Sequence, residues 1–166
     1  LAGAHTTSLD VSARYLDWAR RNFVHNGLPV QHPQPPQPAA APSPHRFAKM
    51  DTFEFITYAR RKGLRYDLII LDPPSFASGS KRKGIRPWSP LPDSTPLGRE
   101  AAPLLSPGGL IRASTNTVEL CRPGRLEREI VKGLGRTPRW VALPPSPPDF
   151  AMERGRFTAL AFTIAP

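Results

Sequence analysis

The sequence predicts an α/β fold built on a mostly parallel sheet, with an antiparallel strand at its C-terminal edge. Strand-like and helix-like segments alternate along most of the 166 residues, an order that favours parallel strands joined by right-handed helical crossovers. The segment Tyr66–Leu71 contains an uninterrupted apolar run, which is typical of a strand buried on both faces of a parallel sheet. The last two strand segments have no convincing helix between them, so we expect that pair to be antiparallel.

The N-terminal segment has the pattern of a strand followed by a helix. Residues 5–10 form a short, β-branched run that ends in a carboxylate. Ser12 is a suitable N-cap for a helix over residues 13–26, because its hydroxyl can accept a hydrogen bond from an N–H of the first turn. Asn26 and Gly27 then form a typical C-terminal stop signal.

A second strand and helix follow, with their own start and stop signals. Residues 46–50 form a short strand candidate. Asp51 and Glu54 are spaced as a capping pair for a helix that runs to about residue 61, because each carboxylate can accept a backbone N–H near the helix start. Gly63 is expected to end this helix.

Three further strands and one helix are expected after Tyr66–Leu71. The strand candidates are residues 110–115, 140–143 and 157–164, and the short helix candidate is residues 126–134. No internal repeat is visible, so these elements are expected to extend one sheet.

Proline is the outlier of the composition, with 22 of 166 residues. Because proline has no N–H and fixes φ, the Pro-rich segment 29–45 is expected to be an exposed insertion and not a helix or central strand. A second Pro-rich segment, 87–107, is expected to be a loop with at most a turn or two of helix near residues 97–102. Both segments interrupt a single domain that is expected to span residues 1–166.

The charge and the cysteine count narrow the class of protein. The chain carries 23 Lys and Arg against 13 Asp and Glu, for a net charge of +10, which favours a polyanionic partner over a merely solvated basic surface. A single cysteine excludes an internal disulfide framework and a zinc site built from several cysteines. No apolar run approaches the roughly 18–20 residues of a membrane span, and the N-terminus lacks the pattern of a secretory signal. We therefore expect a cytoplasmic protein that binds nucleic acid, with no membrane partner. The four histidines lack paired spacing, so no metal site is expected.

The sharpest motif is Asp72-Pro73-Pro74-Ser75-Phe76, directly after the apolar strand. In an open α/β sheet, ligands bind at the carboxyl ends of the strands. Consecutive prolines remove two N–H donors and leave carbonyls as acceptors, so Asp72 and the loop can accept hydrogen bonds from an amine or a base edge. Phe76 can stack on a planar ring. The alternative is a strand that ends in Asp-Pro-Pro merely as a turn.

Two more carboxylates occupy equivalent places after earlier strands. Asp10 ends the first strand candidate and Asp51 follows the second. An acidic residue at such a position accepts ribose hydroxyls in nucleotide-binding folds, and a second one can reach the adenine edge of the same ligand. Taken alone, each carboxylate is more often a helix cap than a ligand contact. Followed by Asp72, they form a coherent set.

Together, several segments carry a resemblance to a known family. They are residues 6–10, 13–20, 26–27, 66–76, 80–82, 107–109 and 114–116. In these segments the sequence resembles the class I S-adenosylmethionine-dependent methyltransferases that modify guanine or cytosine in large-subunit ribosomal RNA. It is most similar to the guanine-N7 module of the bifunctional bacterial members. The resemblance implies a Rossmann-like fold, S-adenosylmethionine as cofactor and ribosomal RNA as substrate, with guanine the favoured base.

The resemblance also implies roles for residues. Those near the cofactor would be Asp10 at the ribose, Met50 and Asp51 at the adenine, and Asp72. Those at the meeting point of methyl group and base would be Asp72, Pro73, Pro74 and Phe76, with Asn116 shaping the far wall. Catalysis would consist mostly of positioning, with the methyl group held in line with a nitrogen of the base.

The sequence departs from the family at its N-terminal end. The strand and Gly-rich loop that wrap the methionine end of the cofactor are absent, which implies a truncated domain and an upstream RNA-binding or methyltransferase region of the same protein. One alternative is therefore an inactive fragment or pseudoenzyme that binds RNA through basic loops. Another is a cytosine-C5 or DNA amino-methyltransferase. Cys121 lies five residues beyond Asn116, outside the strand-end motif where a cytosine-C5 enzyme carries its thiolate, and this disfavours the covalent mechanism.

Basic clusters supply a candidate RNA surface. Lys81, Arg82, Lys83 and Arg86 follow the Asp-Pro-Pro loop and are expected to flank the base pocket. A second cluster, 60–65, ends the preceding helix. Such residues contact phosphates and give affinity and salt dependence without sequence choice.

Overall fold

The computed structural model describes residues 3–30, 44–80, 85–145 and 155–164. The chain divides into two compact units, residues 1–55 and 56–166, and each is described by itself. None of the helices in these described ranges is long and apolar enough to cross a membrane.

The first unit is a parallel strand pair with one helix. Strand β1 (Thr6–Asp10) pairs with β2 (His45–Lys49), and helix α1 (Ala13–His25) packs on both strands. The predicted N-cap is confirmed, because the Ser12 Oγ accepts a hydrogen bond from the Tyr15 N–H at 3.4 Å. The last residue of the expected Pro-rich insertion, His45, begins β2, while residues 31–43 lie outside the described ranges.

Helix α2 (Thr52–Arg61) begins at the predicted capping residue. The Asp51 Oδ1 accepts hydrogen bonds from the N–H groups of Phe53 at 2.8 Å and Glu54 at 3.4 Å. Gly63, with φ of +66°, follows the end of the helix. A carboxylate in the first turn stabilises a helix both by satisfying free N–H groups and by opposing the helix dipole.

The second unit contains a four-stranded mixed sheet in the order β3-β4-β6-β5. Its strands are β3 (Tyr66–Leu71), β4 (Leu105–Thr115), β5 (Arg139–Val141) and β6 (Thr158–Thr163). Strand β4 is parallel to β3, whereas β6 is antiparallel to both β4 and β5. The predicted α/β class, with its antiparallel C-terminal edge, is therefore confirmed.

The core of this unit lies on one face of the sheet, beneath helix α4 (Arg125–Leu134). It is a cluster of buried apolar side chains: Ile111, Ala113, Leu126, Ile130 and Phe162. Ile69 and Leu71 of β3 pack against it.

The opposite face of β3 contradicts the prediction of burial on both sides. Leu68 is 51% exposed and Ile70 is 58% exposed. Successive side chains of a strand point to opposite faces, so the apolar run places two residues in the core and two outside it. Within the described residues β3 pairs only with β4 and forms an edge of its sheet, which a run of apolar letters cannot reveal.

The Pro-rich segment 87–107 was predicted to be a loop with at most a turn or two of helix, and that prediction was wrong. Helix α3 spans Pro90–Ala101, and β4 begins at Leu105. Pro90 and Pro92 lie in the first turn, where N–H groups have no partner within the helix, so proline costs little there. Asp93 also supports the helix start, because its Oδ2 accepts a hydrogen bond from the Ser89 N–H at 2.7 Å. Only Pro96 removes an interior hydrogen bond.

Candidate active site

Asp72 lies directly after β3 and is held from the neighbouring strand. The register pairs Leu71 with Ala113, so the next residues, Asp72 and Ser114, also lie side by side. The Ser114 hydroxyl donates to the Asp72 Oδ1 at 2.7 Å. Ser114 is buried, whereas Asp72 is exposed, and its Oδ2 has no hydrogen-bond partner among the described residues. One carboxylate oxygen is therefore fixed, and the other, in an exposed residue, can accept a further hydrogen bond.

The two prolines of the motif present two different carbonyls. The Pro74 carbonyl accepts a hydrogen bond from the Trp88 Nε1 at 2.8 Å. Pro73 is half-buried, and within the described ranges its carbonyl has no hydrogen-bond partner. Neither residue has an N–H. The site therefore offers the Asp72 carboxylate and the Pro73 carbonyl as neighbouring acceptors, and the loop beyond them is anchored by the indole.

Ser75 and Phe76 complete the motif. The Ser75 hydroxyl donates to the Asn116 Oδ1 at 2.6 Å, a second link between the end of β3 and the end of β4. The Phe76 side chain is 69% exposed. Because most of the ring lies open to solvent, Phe76 can offer a face to a planar base.

A short hairpin follows Phe76 and leads into the basic cluster. The backbones of Ala77 and Trp88 exchange two hydrogen bonds, at 3.1 and 2.8 Å, and those of Ser80 and Ile85 exchange two, at 2.7 and 3.0 Å. Lys81, Arg82 and Lys83 were predicted to contact RNA, and they lie outside the described residues. Arg86, the fourth predicted contact, is described and forms an ion pair with Asp93 at the start of α3.

Gly79, in the first arm of this hairpin, has a φ of +69°. A Cβ at this position would lie 2.6 Å from the Pro87 nitrogen and 2.7 Å from the Ile85 carbonyl oxygen. Both contacts are with backbone, so no side-chain movement can relieve them. Only glycine lets the two arms of the hairpin approach this closely.

In the first unit, Asp10 and Asp51 lie at the carboxyl ends of adjacent parallel strands. The Asp10 Oδ1 accepts a hydrogen bond from the Ser12 N–H at 2.6 Å, and the Asp51 Oδ1 caps α2. Asp51 is therefore a helix cap, as the alternative interpretation expected, whereas Asp10 bonds to Ser12, the residue that itself caps α1. Their Oδ2 atoms have no hydrogen-bond partner among the described residues.

Met50 lies between these carboxylates in the backbone. Its N–H donates to the Asp10 carbonyl at 3.2 Å, which ties the end of β2 to the end of β1. Two outward carboxylate oxygens and a thioether fit the groups of a nucleoside, since ribose hydroxyls and an adenine amine are donors and the ring is apolar. The chemistry of these residues fits the nucleoside part of S-adenosylmethionine, the role that the family resemblance implied for them.

Cys121 does not have the surroundings of a nucleophile. Burial raises the pKa of its thiol, and the Sγ lies 3.5 Å from the Thr115 carbonyl. A raised pKa lowers the fraction of thiolate at neutral pH, and the thiolate is the reactive form. This agrees with the interpretation of Cys121 as an ordinary loop thiol.

Sequence reasoning missed two residues of the site. Ser114 was part of the Ser-Thr-Asn motif but had no assigned role, because its contact with Asp72 depends on the register of two strands 42 positions apart. Trp88 was not singled out at all. Its bond to Pro74 depends on the hairpin closing between them, and the one signal was a tryptophan that follows a glycine-containing turn.

Known proteins resemble the chain in both sequence and fold. It is 33% identical over 113 residues to ribosomal RNA large subunit methyltransferase K of Neisseria meningitidis serogroup B. The aligned region covers 68% of this chain and 28% of that protein. It is also 35% identical over 144 residues to ribosomal RNA large subunit methyltransferase K/L of Pseudoalteromonas atlantica. This aligned region covers 87% of the chain and 17% of that protein. The chain thus spans under a third of the length of these relatives.

Among solved structures, SMU.776, a candidate methyltransferase in complex with SAH, matches with a TM-score of 0.77 at 30% identity. That match covers 97% of this chain and 39% of the solved one. No protein-family model matches the sequence. The solved structure agrees with the α/β fold described above. The chain is therefore a relative of the large-subunit ribosomal RNA methyltransferases K and K/L over part of their length, and it shares its fold with a methyltransferase solved in complex with SAH.

Proposed function

We propose that residues 1–166 form part of a catalytic domain that transfers the methyl group of S-adenosylmethionine to a base of large-subunit ribosomal RNA, with guanine as the base. The relatives named above are ribosomal RNA large subunit methyltransferases. The observation that carries the proposal is the pair of neighbouring acceptors after β3, the Asp72 Oδ2 and the Pro73 carbonyl.

The choice of guanine follows from the chemistry of these acceptors. The Watson–Crick edge of guanine presents two adjacent donors, the ring N1–H and the exocyclic amine, whereas cytosine presents only its amine. A carboxylate and a carbonyl side by side complement two donors. Phe76 supplies a stacking face for a base that has left its helix, as chemistry on a base requires.

The protein contributes mainly by positioning the cofactor and the base relative to each other. The bound cofactor supplies an electrophilic methyl group on its sulfonium. Asp10 and Asp51 hold the nucleoside part, and Asp72 with Pro73 fixes the rotation of the base within its plane. A ring nitrogen such as N7 brings its own lone pair and needs no proton removed. If the exocyclic amine of the base received the methyl group instead, the proton that it loses would pass to the Asp72 carboxylate.

The cofactor assignment is tested by calorimetric titration of S-adenosylhomocysteine into the chain and its variants. Asp10→Asn keeps an oxygen for the Ser12 N–H but replaces the outward acceptor by a donor. We expect it to weaken binding about 10- to 100-fold, the equivalent of one hydrogen bond to a charged group. Asp17→Asn, an exposed carboxylate paired with Arg21 on α1, is the matched control and should bind as the wild type does. Equal affinity of all three proteins would remove Asp10 from the site.

The same titration separates the enzyme from an inactive RNA-binding pseudoenzyme. Measurable affinity for S-adenosylhomocysteine supports the proposal. An absence of binding, both in this chain and in the longest form of the protein that cells produce, would contradict it.

The proposed contact of the basic cluster Lys81, Arg82 and Lys83 with RNA is tested through salt dependence. Changing Lys81, Arg82 and Lys83 to Ala should weaken RNA binding and reduce the slope of log K against log [salt] by about 2, since each phosphate contact on a single strand contributes roughly 0.7. The control removes three exposed charges elsewhere, at Arg21, Arg128 and Lys132. A slope that falls equally in both triple variants would show that net charge, and not this cluster, binds the RNA.

A further inference from the structure

Ser114 is a buried polar group whose only described hydrogen-bond partner is in the candidate site. It is 3% exposed, and its hydroxyl donates to the Asp72 Oδ1 at 2.7 Å. A buried hydroxyl without a partner costs about 1–3 kcal/mol. An alanine at this position, like the neighbouring Ala113, would need no hydrogen-bond partner. The presence of a buried hydroxyl therefore indicates that its bond to Asp72 has a role.

The strand register explains why this serine meets Asp72. Parallel pairing sets Leu71 beside Ala113, and these two residues belong to the core face. One residue further along each strand, side chains point to the other face. Asp72 and Ser114 therefore share the face opposite to the core, and the hydroxyl reaches the carboxylate from within the sheet.

The bond restricts a side chain that is otherwise exposed. An exposed carboxylate rotates freely about two side-chain bonds, and each orientation sends its oxygens in a different direction. With Oδ1 fixed by Ser114, Oδ2 keeps one direction. The Ser75–Asn116 bond, also between the ends of β3 and β4, holds the backbone that follows.

We propose that Ser114 is a positioning residue, which fixes the Asp72 carboxylate so that its outward oxygen meets the donor edge of the base. This inference rests on the proposed function. It assigns to the buried end of β4 a role in methyl transfer that acts through Asp72 and does not involve contact with cofactor or base.

The experiment compares Ser114→Ala and Ser114→Thr in steady-state methyl transfer to large-subunit ribosomal RNA. Ser114→Ala removes the donor, so kcat should fall about 10- to 100-fold, because loss of orientation costs rate. The KM for RNA and the affinity for S-adenosylhomocysteine should stay within twofold. Ser114→Thr retains the hydroxyl and should recover most of the activity.

A matched control addresses the general effect of losing a buried hydroxyl. Thr115→Val removes one from the next residue, which is 4% exposed and whose Oγ1 accepts from the Thr117 N–H instead of contacting Asp72. Its kcat should stay within about twofold of the wild type. An equal loss of kcat in Thr115→Val and Ser114→Ala would contradict the specific role of Ser114.

A double-mutant cycle tests whether Ser114 acts through Asp72. In an Asp72→Asn background with residual activity, Ser114→Ala should cause no further loss, because the second carboxylate oxygen, whose direction Ser114 sets, is already replaced by an amide nitrogen. The same fold-loss in both backgrounds would overturn the inference. If the wild type methylates RNA and Ser114→Ala does so at the same rate, only the role of Ser114 is contradicted. If the wild type methylates no RNA, the proposed function itself is contradicted.

Discussion

Replacing Asp72 by Ala is expected to reduce methyl transfer to background while RNA binding stays within about twofold of the wild type. The carboxylate is exposed, and within the described residues it makes one hydrogen bond, to Ser114. Its loss removes a charge-assisted hydrogen bond to the base, worth roughly 1.5–3 kcal/mol, and with it the group that orients the base. Affinity for RNA is set by phosphate contacts elsewhere and should survive.

The variants of Asp72 separate its chemistry from its contribution to the fold. Asp72→Ala leaves the Ser114 hydroxyl without its partner, which should cost about 1–3 kcal/mol of stability. Asp72→Asn keeps an oxygen that can accept from Ser114, so its stability should stay close to that of the wild type. Its amide N–H groups would face the donors of a guanine, so it should lose most of its activity. Asp67→Asn, an exposed carboxylate on the same strand, is the control. Transfer at the wild-type rate by Asp72→Asn would show that the site is wrongly assigned.

Gly133→Ala is expected to lower the free energy of unfolding by about 1–3 kcal/mol. A Cβ at Gly133 of α4 would lie 2.5 Å from the Thr95 carbonyl oxygen of α3, a backbone atom that cannot rotate away. The two helices would have to separate, and overpacking of this kind typically costs about 1–3 kcal/mol, or more. The gain in helix propensity from Gly to Ala, near 1 kcal/mol, offsets only part of that.

Gly98 provides the matched control, because it lies within α3 and a Cβ there would have no atom within 4 Å. Gly98→Ala should therefore stabilise the protein by about 0.5–1 kcal/mol through propensity alone. Urea denaturation of both variants measures the difference. Equal stabilities would mean that α3 and α4 do not pack as closely as the structure shows.

The parts of the site that the sequence predicted correctly depend on local signals. Ser12 and Asp51 each precede a helix by the spacing that capping requires, and both caps form. Asp72 follows a strand whose apolar run fixes both its existence and its end. Such signals lie within a few residues of the group they place, so they can be read without knowing the tertiary structure.

The errors have non-local or positional causes. The cost of proline depends on its place in a helix, so counting prolines predicted a loop where Pro90 and Pro92 occupy the first turn of α3. The exposure of Leu68 and Ile70 depends on which strands lie beside β3. The Ser114–Asp72 and Trp88–Pro74 bonds require register and loop closure, which no short segment specifies.

Methylation of a guanine of large-subunit ribosomal RNA by this chain, as proposed above, can be measured directly. The direct measurement is mass spectrometry of nucleosides from that RNA, prepared from cells that lack the gene and incubated with the protein and S-adenosylmethionine carrying a deuterated methyl group. We expect a labelled methylguanosine with the wild type and with Asp67→Asn, and a strongly reduced amount of label with Asp72→Asn. Label confined to cytidine, or equal label in wild type and Asp72→Asn, would contradict it.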